Sequence, residues 1–233
     1  MGTIITIMTK VIEGGSRAFL SLLSWVSPAF PTGSYAYSHG VEWAVSQGDV
    51  RDVASLCDWL EVLLLHGSLG NDLVFLHYGW QRAEEGEALR ELAEYARACA
   101  SSRERYEETL WQGDAFMRAA CVWQPELETL RQAFSWPLPV AQGLVFRRGG
   151  VTKAQALLAG AYNAVAALVS ATVRLVPLGQ TDGLRALKRL DPVLEQAVEK
   201  AERSTFDDLG GVCFYADMAA MRHETQRTRL FRT

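Results

Sequence analysis

Four histidines, four cysteines and several acidic clusters are the residues of this chain whose chemistry could act on a substrate or a metal. A catalytic zinc needs three ligands within about 2 Å of one ion. His39, His66, His77 and His223 are scattered along the sequence. His66 and His77 share a face if one helix joins them, yet eleven residues at 1.5 Å each put them about 16 Å apart. Gly67 and Gly70 interrupt that stretch in any case, and His223-Glu224 has no second histidine at helical spacing. The histidines therefore read as core or surface groups. Cys57, Cys99, Cys121 and Cys213 lie far apart without a Cys-x-x-Cys pair, which fits reduced thiols rather than a disulfide framework or a zinc site. Gly143-Leu144-Val145-Phe146-Arg147-Arg148-Gly149-Gly150 is the nearest approach to a phosphate loop, but Lys-Ser/Thr does not follow it and no apolar strand precedes it. No Gly-x-Ser-x-Gly elbow occurs. Glu84, Glu85 and Glu87 read as a solvated helix face. The residues taken alone disfavour an enzyme and require neither a cofactor nor a resident metal.

Two other features point to recognition. The first is the loop from Pro28 to Gly40, in which Pro28 and Pro31 restrict the backbone and Phe30, Tyr35 and Tyr37 are aromatic. Aromatic side chains anchor interfaces at low entropic cost, and they also fill cores. The second is the C-terminal segment 222–233. Its four arginines against Glu224 give +3 and leave −7 on the rest of the chain. Such an end can dock on its own body or reach an acidic partner. From Arg222 to Arg229 nothing strongly apolar appears, and Leu230-Phe231 then supplies a two-residue anchor.

The elements that position these features read as helices. The chain has 233 residues, of which 49% are hydrophobic and 21% charged. That composition supports a sizeable core and excludes intrinsic disorder. A net charge of −4 argues against a globally basic nucleic-acid binder. Strand signals are confined to Ile4, Ile5 and Ile7. Apolar residues recur at helical spacing from Arg17 to Val26, and after an Asp52 cap from Val53 to about Leu65. A further helix is expected after Asn71 or Asp72, another from Leu89 to Ala100, and another from Ser101 or Ser102 to about Cys121. The 20 uncharged residues from Ala154 to Val173 could span a bilayer by length. They are mostly alanine with polar interruptions, so they read as a buried central helix, with Ala156, Gly160, Ala164 and Ala167 allowing close approach of a neighbour. Leu184–Leu190 reads as a short helix, and Asp191-Pro192 as the start of the next. The expectation is an all-α protein, a single irregular bundle of roughly ten helices spanning 17–221. A flexible N-terminal arm over 1–16 precedes it, and the basic tail 222–233 follows.

Three segments together resemble the urease accessory protein UreF family. Ser27-Pro28-Ala29-Phe30-Pro31-Thr32-Gly33-Ser34-Tyr35-Ala36-Tyr37-Ser38-His39-Gly40-Val41-Glu42-Trp43-Ala44 is similar to that family's SxxxPxGxYxxSxGLEWA signature. Arg174-Leu175-Val176-Pro177-Leu178-Gly179-Gln180 is similar to its second motif, and the segment from Arg222 to Arg232 to its RHETQxxRLFR ending. Ser34, His39 and Val41 depart from the usual glycine, glutamine and leucine. The resemblance implies a UreF-like all-α fold and a non-catalytic, cytoplasmic protein that forms homodimers and enters no nucleic acid or membrane. It implies binding to the UreD (UreH) accessory protein and recruitment of the GTPase UreG. Through that complex the urease apoprotein receives nickel. The matching positions Tyr35, Tyr37, Ser38, Glu42, Arg174, Gln180, Arg222, His223, Glu224, Gln226, Arg229, Leu230, Phe231 and Arg232 are then the expected partner-binding residues. An alternative role is activation of UreG through an arginine finger, for which Arg147, Arg148 and the tail arginines are the candidates.

Overall fold

A computed structural model describes residues 15–211 and 213–233. The expected arm over 1–16 lies outside the described residues, except for its last two, which open the first helix. Among the described residues there are eleven α-helices and no strands, so the fold is all-α as the periodicity predicts. In chain order, α1 covers 15–25, α2 Val41–Gln47, α3 Val53–His66, α4 Ser68–Gln81, α5 Gly86–Ala98 and α6 Arg103–Ala120. They are followed by α7 Leu127–Ala133, α8 Leu138–Arg148, α9 Lys153–Leu175, α10 Gln180–Arg203 and α11 Phe214–His223. Side-chain caps open three of the helices, among them those expected at Asp52 and Ser102. Asp52 accepts from Ser55 N at 2.8 Å, Ser102 from Arg105 N at 3.1 Å and Thr152 from Gln155 N at 3.4 Å.

Two apolar groups fill the interior. One gathers Trp25, Phe75, Phe116, Trp136 and Phe146, and the other packs the leucines of α3 and α4 against α9 and α10. Tyr78, Val198 and Leu209 pack against both groups. The α8 helix is an axis of the fold, with Pro139 to Phe146 buried throughout. It reaches α4 through glycines. A Cβ on Gly143 would lie 2.4 Å from Leu76 O, and one on Gly79 would lie 2.9 Å from Val140 O. The α9 helix is long and apolar enough to cross a membrane, and it packs within the bundle, with a Cβ on Gly160 falling 2.5 Å from Leu76 Cδ1.

Two boundaries differ from expectation. The break at Gly67–Gly70 is a single bend of 45° between α3 and α4. Gly67 caps α4, and Gly70 lies inside it because its bare Cα fits against Leu64 O. The α10 helix runs unbroken through Pro192. Proline forfeits one backbone bond there, but Gly183, Ala186, Leu190, Leu194, Ala197 and Ala201 keep one buried stripe on both sides of it. That continuous packing outweighs the local stop signal.

Candidate functional site: a docked C-terminal strap

The loop before α2 is shaped by left-handed residues. Gly33 and Gly40 have φ of 76° and 79°, and His39 is the non-glycine exception at 56°. Gly40 is required twice over, because a Cβ there would also meet Ala220 N of α11 at 2.8 Å. The close approach of α11 to the start of α2 brings together segments 180 residues apart in the sequence.

From Glu224 onward the chain leaves α11 and runs back as an extended strap over α2, α6 and the 34–39 turn. Glu42, in the first turn of α2, is its main attachment. The buried carboxylate accepts Leu230 N at 2.7 Å, Phe231 N at 3.0 Å and His223 Nε2 at 3.1 Å. Glu104 at the start of α6 faces His223 Nδ1 at 2.7 Å and pairs with Arg229 at 2.7 Å. Burial pushes the Glu104 carboxyl above its usual value, partly offset by His223 and Arg229. Arg232 N donates to Ala36 O at 2.8 Å, and Ser38 donates both its N–H and its hydroxyl to Thr233 O. Thr233 Oγ1 in turn donates to Glu108 at 2.8 Å.

Alternation along the strap sorts its side chains. Phe231 is buried beneath the Arg174 guanidinium, 4.4 Å from the ring centre, and Arg174 also donates to Tyr35 O at 2.8 Å. Leu230 and Tyr35 point outward, 74% and 75% exposed. Tyr37 is buried, and burial raises its phenol above the usual value against the pull of Arg232. Glu224 accepts from Arg103 N at the start of α6 at 3.0 Å, Gln226 bonds within its own turn to Thr228 O, and Arg222 is exposed. The structure thus brings Tyr35, Tyr37, Ser38, Glu42, Arg174, His223, Glu224, Arg229, Phe231 and Arg232 to one face. Gln180 stands exposed at the start of α10, outside the strap's bonding. Arg147 stacks over Trp80 at 4.4 Å, and Arg148 bonds Ala83 O at 3.2 Å.

The sequence reading missed the receiving side. Glu104, Glu108 and Gln112 recur every fourth residue on α6 and are all buried. They continue as Phe116 and Ala120, so the stripe changes from acidic to apolar along one face. That spacing was the available signal. Behind the strap lies a cavity of about 80 Å³ lined by His39, Asp72, Arg105 and Glu108 among others, roomy enough for several waters. Arg105 pairs with Glu108 at 2.6 Å and with Asp72 at 3.4 Å. Desolvation pushes the Asp72 carboxyl up to about 6, despite Arg105. Among the described residues no group of three or more His, Cys, Asp or Glu is placed to hold a metal ion.

The strap and the loop that receives it carry the motifs that resemble UreF, and comparison with known proteins agrees. The UreF family model matches residues 50–191. The urease accessory protein UreF of Agrobacterium fabrum is 47% identical over 222 residues, covering 95% of this chain and 99% of that protein. This chain belongs to the UreF family. The UreF of Bradyrhizobium diazoefficiens is 46% identical over 224 residues (94% of this chain, 93% of that protein), and that of Brucella ovis 44% over 228 (98% and 100%). The matched region of the UreF model begins after the receiving loop and ends before the strap, and the matches to these relatives cover 94% to 98% of the chain. Their name describes an accessory to urease rather than urease itself.

Proposed function

We propose that this chain is a non-catalytic scaffold in the maturation of the urease nickel site. It works in the cytoplasm as a homodimer, joins the UreD/UreH accessory protein to the GTPase UreG, and through them meets the urease apoprotein. The observation that carries this reading is the strap face. Buried carboxylates spend their hydrogen bonds on holding 229–233 in one conformation, while Tyr35 and Leu230 are left bare on the outside. An ordered segment with outward aromatic and aliphatic side chains is a preorganised docking surface.

Co-expression with UreD and UreG, followed by affinity capture and sizing, tests the proposal. The double variant Tyr35→Ala, Leu230→Ala should keep the parental melting temperature, because both side chains are exposed, and should lose at least one partner. A chain lacking 222–233 should lose the same partner. Undiminished capture of both partners by both variants would refute the docking role. The homodimer has its own observation: α1 is apolar on its outer face as well as its inner one, with Phe19, Leu20 and Leu23 exposed. A contiguous exposed apolar patch marks an interaction surface, and a second copy is the cover proposed here. Leu20→Glu should then shift the sizing profile from dimer to monomer.

A further inference from the structure

Three carboxamides from three helices line the cavity behind the strap: Gln112 of α6, Gln142 of α8 and Asn163 of α9. Gln142 is only 6% exposed, yet among the described residues its side-chain amide bonds to nothing. It sits in a helix buried from Pro139 to Phe146, so the protein surface offers that amide no partner. Gln112, also 6% exposed, spends one N–H on Glu108 Oε1 at 3.2 Å and leaves its carbonyl without a donor. Asn163 likewise makes no side-chain bond among the described residues. His39 adds a further open group. Its Nε2 meets Ser68 Oγ at 2.6 Å, but its Nδ1 stands 3.9 Å from Glu108 Oε1, too far for a direct bond.

The charges beside these groups are engaged with one another. Arg105 pairs with Glu108 at 2.6 Å and with Asp72 at 3.4 Å, and Glu108 also accepts the Thr233 hydroxyl at 2.8 Å. What the amides and the imidazole leave open is therefore a set of neutral donors and acceptors. The facing wall cannot complete them, because it is made of leucines, among them Leu64, Leu73, Leu76 and Leu168. Buried polar groups are bonded to protein or to ordered water in nearly every case, and leaving them bare is costly.

We propose that this cavity is a resident water site: a cluster of ordered waters bridges Gln112, Gln142 and Asn163 and joins α6, α8 and α9 through them. Water fits because it both donates and accepts, and a buried water needs two to four polar partners, which this wall supplies. The space also fits. It measures about 80 Å³, and a water needs about 10–15 Å³, so about five are accommodated. An apolar guest, or a dry cavity, leaves the amides of three helices unbonded. Glu108 lines the same cavity and holds Thr233, so the waters back the last anchor of the strap. The site belongs to the folded chain itself and holds whichever partner the strap meets.

The test uses the full chain in solution. Overhauser contacts between water and the side-chain amide protons of Gln112 and Gln142, together with oxygen-17 relaxation dispersion, detect and count long-lived waters. Xenon, which enters dry apolar cavities, is followed through the methyl resonances of Leu73, Leu76 and Leu168. Both amides should show long-lived water contacts, the three leucines should keep their shifts under xenon, and the native mass should carry no small-molecule adduct. Gln142→Leu should lower the count of long-lived waters by at least one. Asn163→Leu serves the same purpose should the first variant fold poorly. Absence of long-lived water at Gln142, xenon shifts at those leucines in the parent, a retained adduct, or an unchanged water count in a folded variant would overturn the proposal.

Discussion

Replacing Glu42 with alanine removes one carboxylate and strands three donors: Leu230 N, Phe231 N and a nitrogen of His223. Hydrogen bonds to a charged group contribute about 1.5–3 kcal/mol each. Three of them would sum to about 4.5–9 kcal/mol if nothing relaxed. The strap can relax, because residues 225–228 outside α11 are mostly exposed and two of the donors regain water by leaving. Release forfeits the burial of Phe231, the Arg229–Glu104 pair and the Thr233–Glu108 bond; Glu104 keeps His223 and Glu108 keeps Arg105, while the second nitrogen of His223 is left without a carboxylate. The global cost is then that of one half-satisfied buried ring, about 1–3 kcal/mol. At about 2–4 °C per kcal/mol for a chain of this size, the melting temperature should drop by about 2–12 °C. The local effect should be far larger. Calorimetry and amide exchange read the two separately, and trypsin adds a third readout at Arg227 and Arg229. Glu42→Ala should show a modest melting shift, loss of protection at Leu230 and Phe231 and rapid cleavage in the strap. Retention of parental protection at those two amides, within about threefold, would refute Glu42 as the attachment point, since a strap held by other contacts would not respond.

Gly143→Ala places a methyl 2.4 Å from Leu76 O and 2.6 Å from Trp80 N, both backbone atoms, so α4 and α8 must separate. The expected cost is about 1–3 kcal/mol, read as a melting shift. Gly86→Ala at the start of α5 meets nothing within 4 Å and should be neutral or stabilising by up to about 1 kcal/mol. Asp72 ionises at about 6 in the fold and at about 3.9 in an unfolded chain. The unfolded state therefore loses its proton first, and stability falls as pH rises from about 4 to 6, then levels off. Asp72→Asn should flatten that stretch of the melting profile. It should gain about 1 kcal/mol at pH 7.5, well below the full value of the shift, because a third of the side chain faces open space and the contact with Arg105 is weakened.

The helical framework was legible because its signals are local. Asp52, Ser102 and Thr152 each cap with an oxygen three residues from its donor, and the apolar stripes of α3 and α9 repeat within one window. Pro192 misled because a local rule met a packing pattern longer than itself. Gly79 and Gly143 look like ordinary helix-weakening glycines until two helices are known to cross there. The strap was legible as a charged end in search of acid, but its receiver was not. Glu42 and His223 are 181 residues apart, and no periodicity links them. Glu104 and Glu108 sit in an alternating charged run that a solvated helix face would also produce.

The choice of attachment chemistry bears on what the strap can do. A segment meant only to complete the core would be held by apolar side chains, whose burial responds weakly to pH, salt or a partner's charge. Here a single ring, Phe231, is buried, and four of the strap's bonds end on carboxylates of the body. Those carboxylates are themselves buried, so they require the strap as much as it requires them: leaving them bare costs desolvation without compensation. The pairing is specific, since it needs two consecutive N–H groups and a guanidinium at fixed spacing, with the His223 ring set between the two acids. Elements that move in regulation are drawn from the less stable parts of a fold. A strap joined by exposed turn residues and held by charge meets that description, and it carries Leu230 with it whenever it docks or leaves.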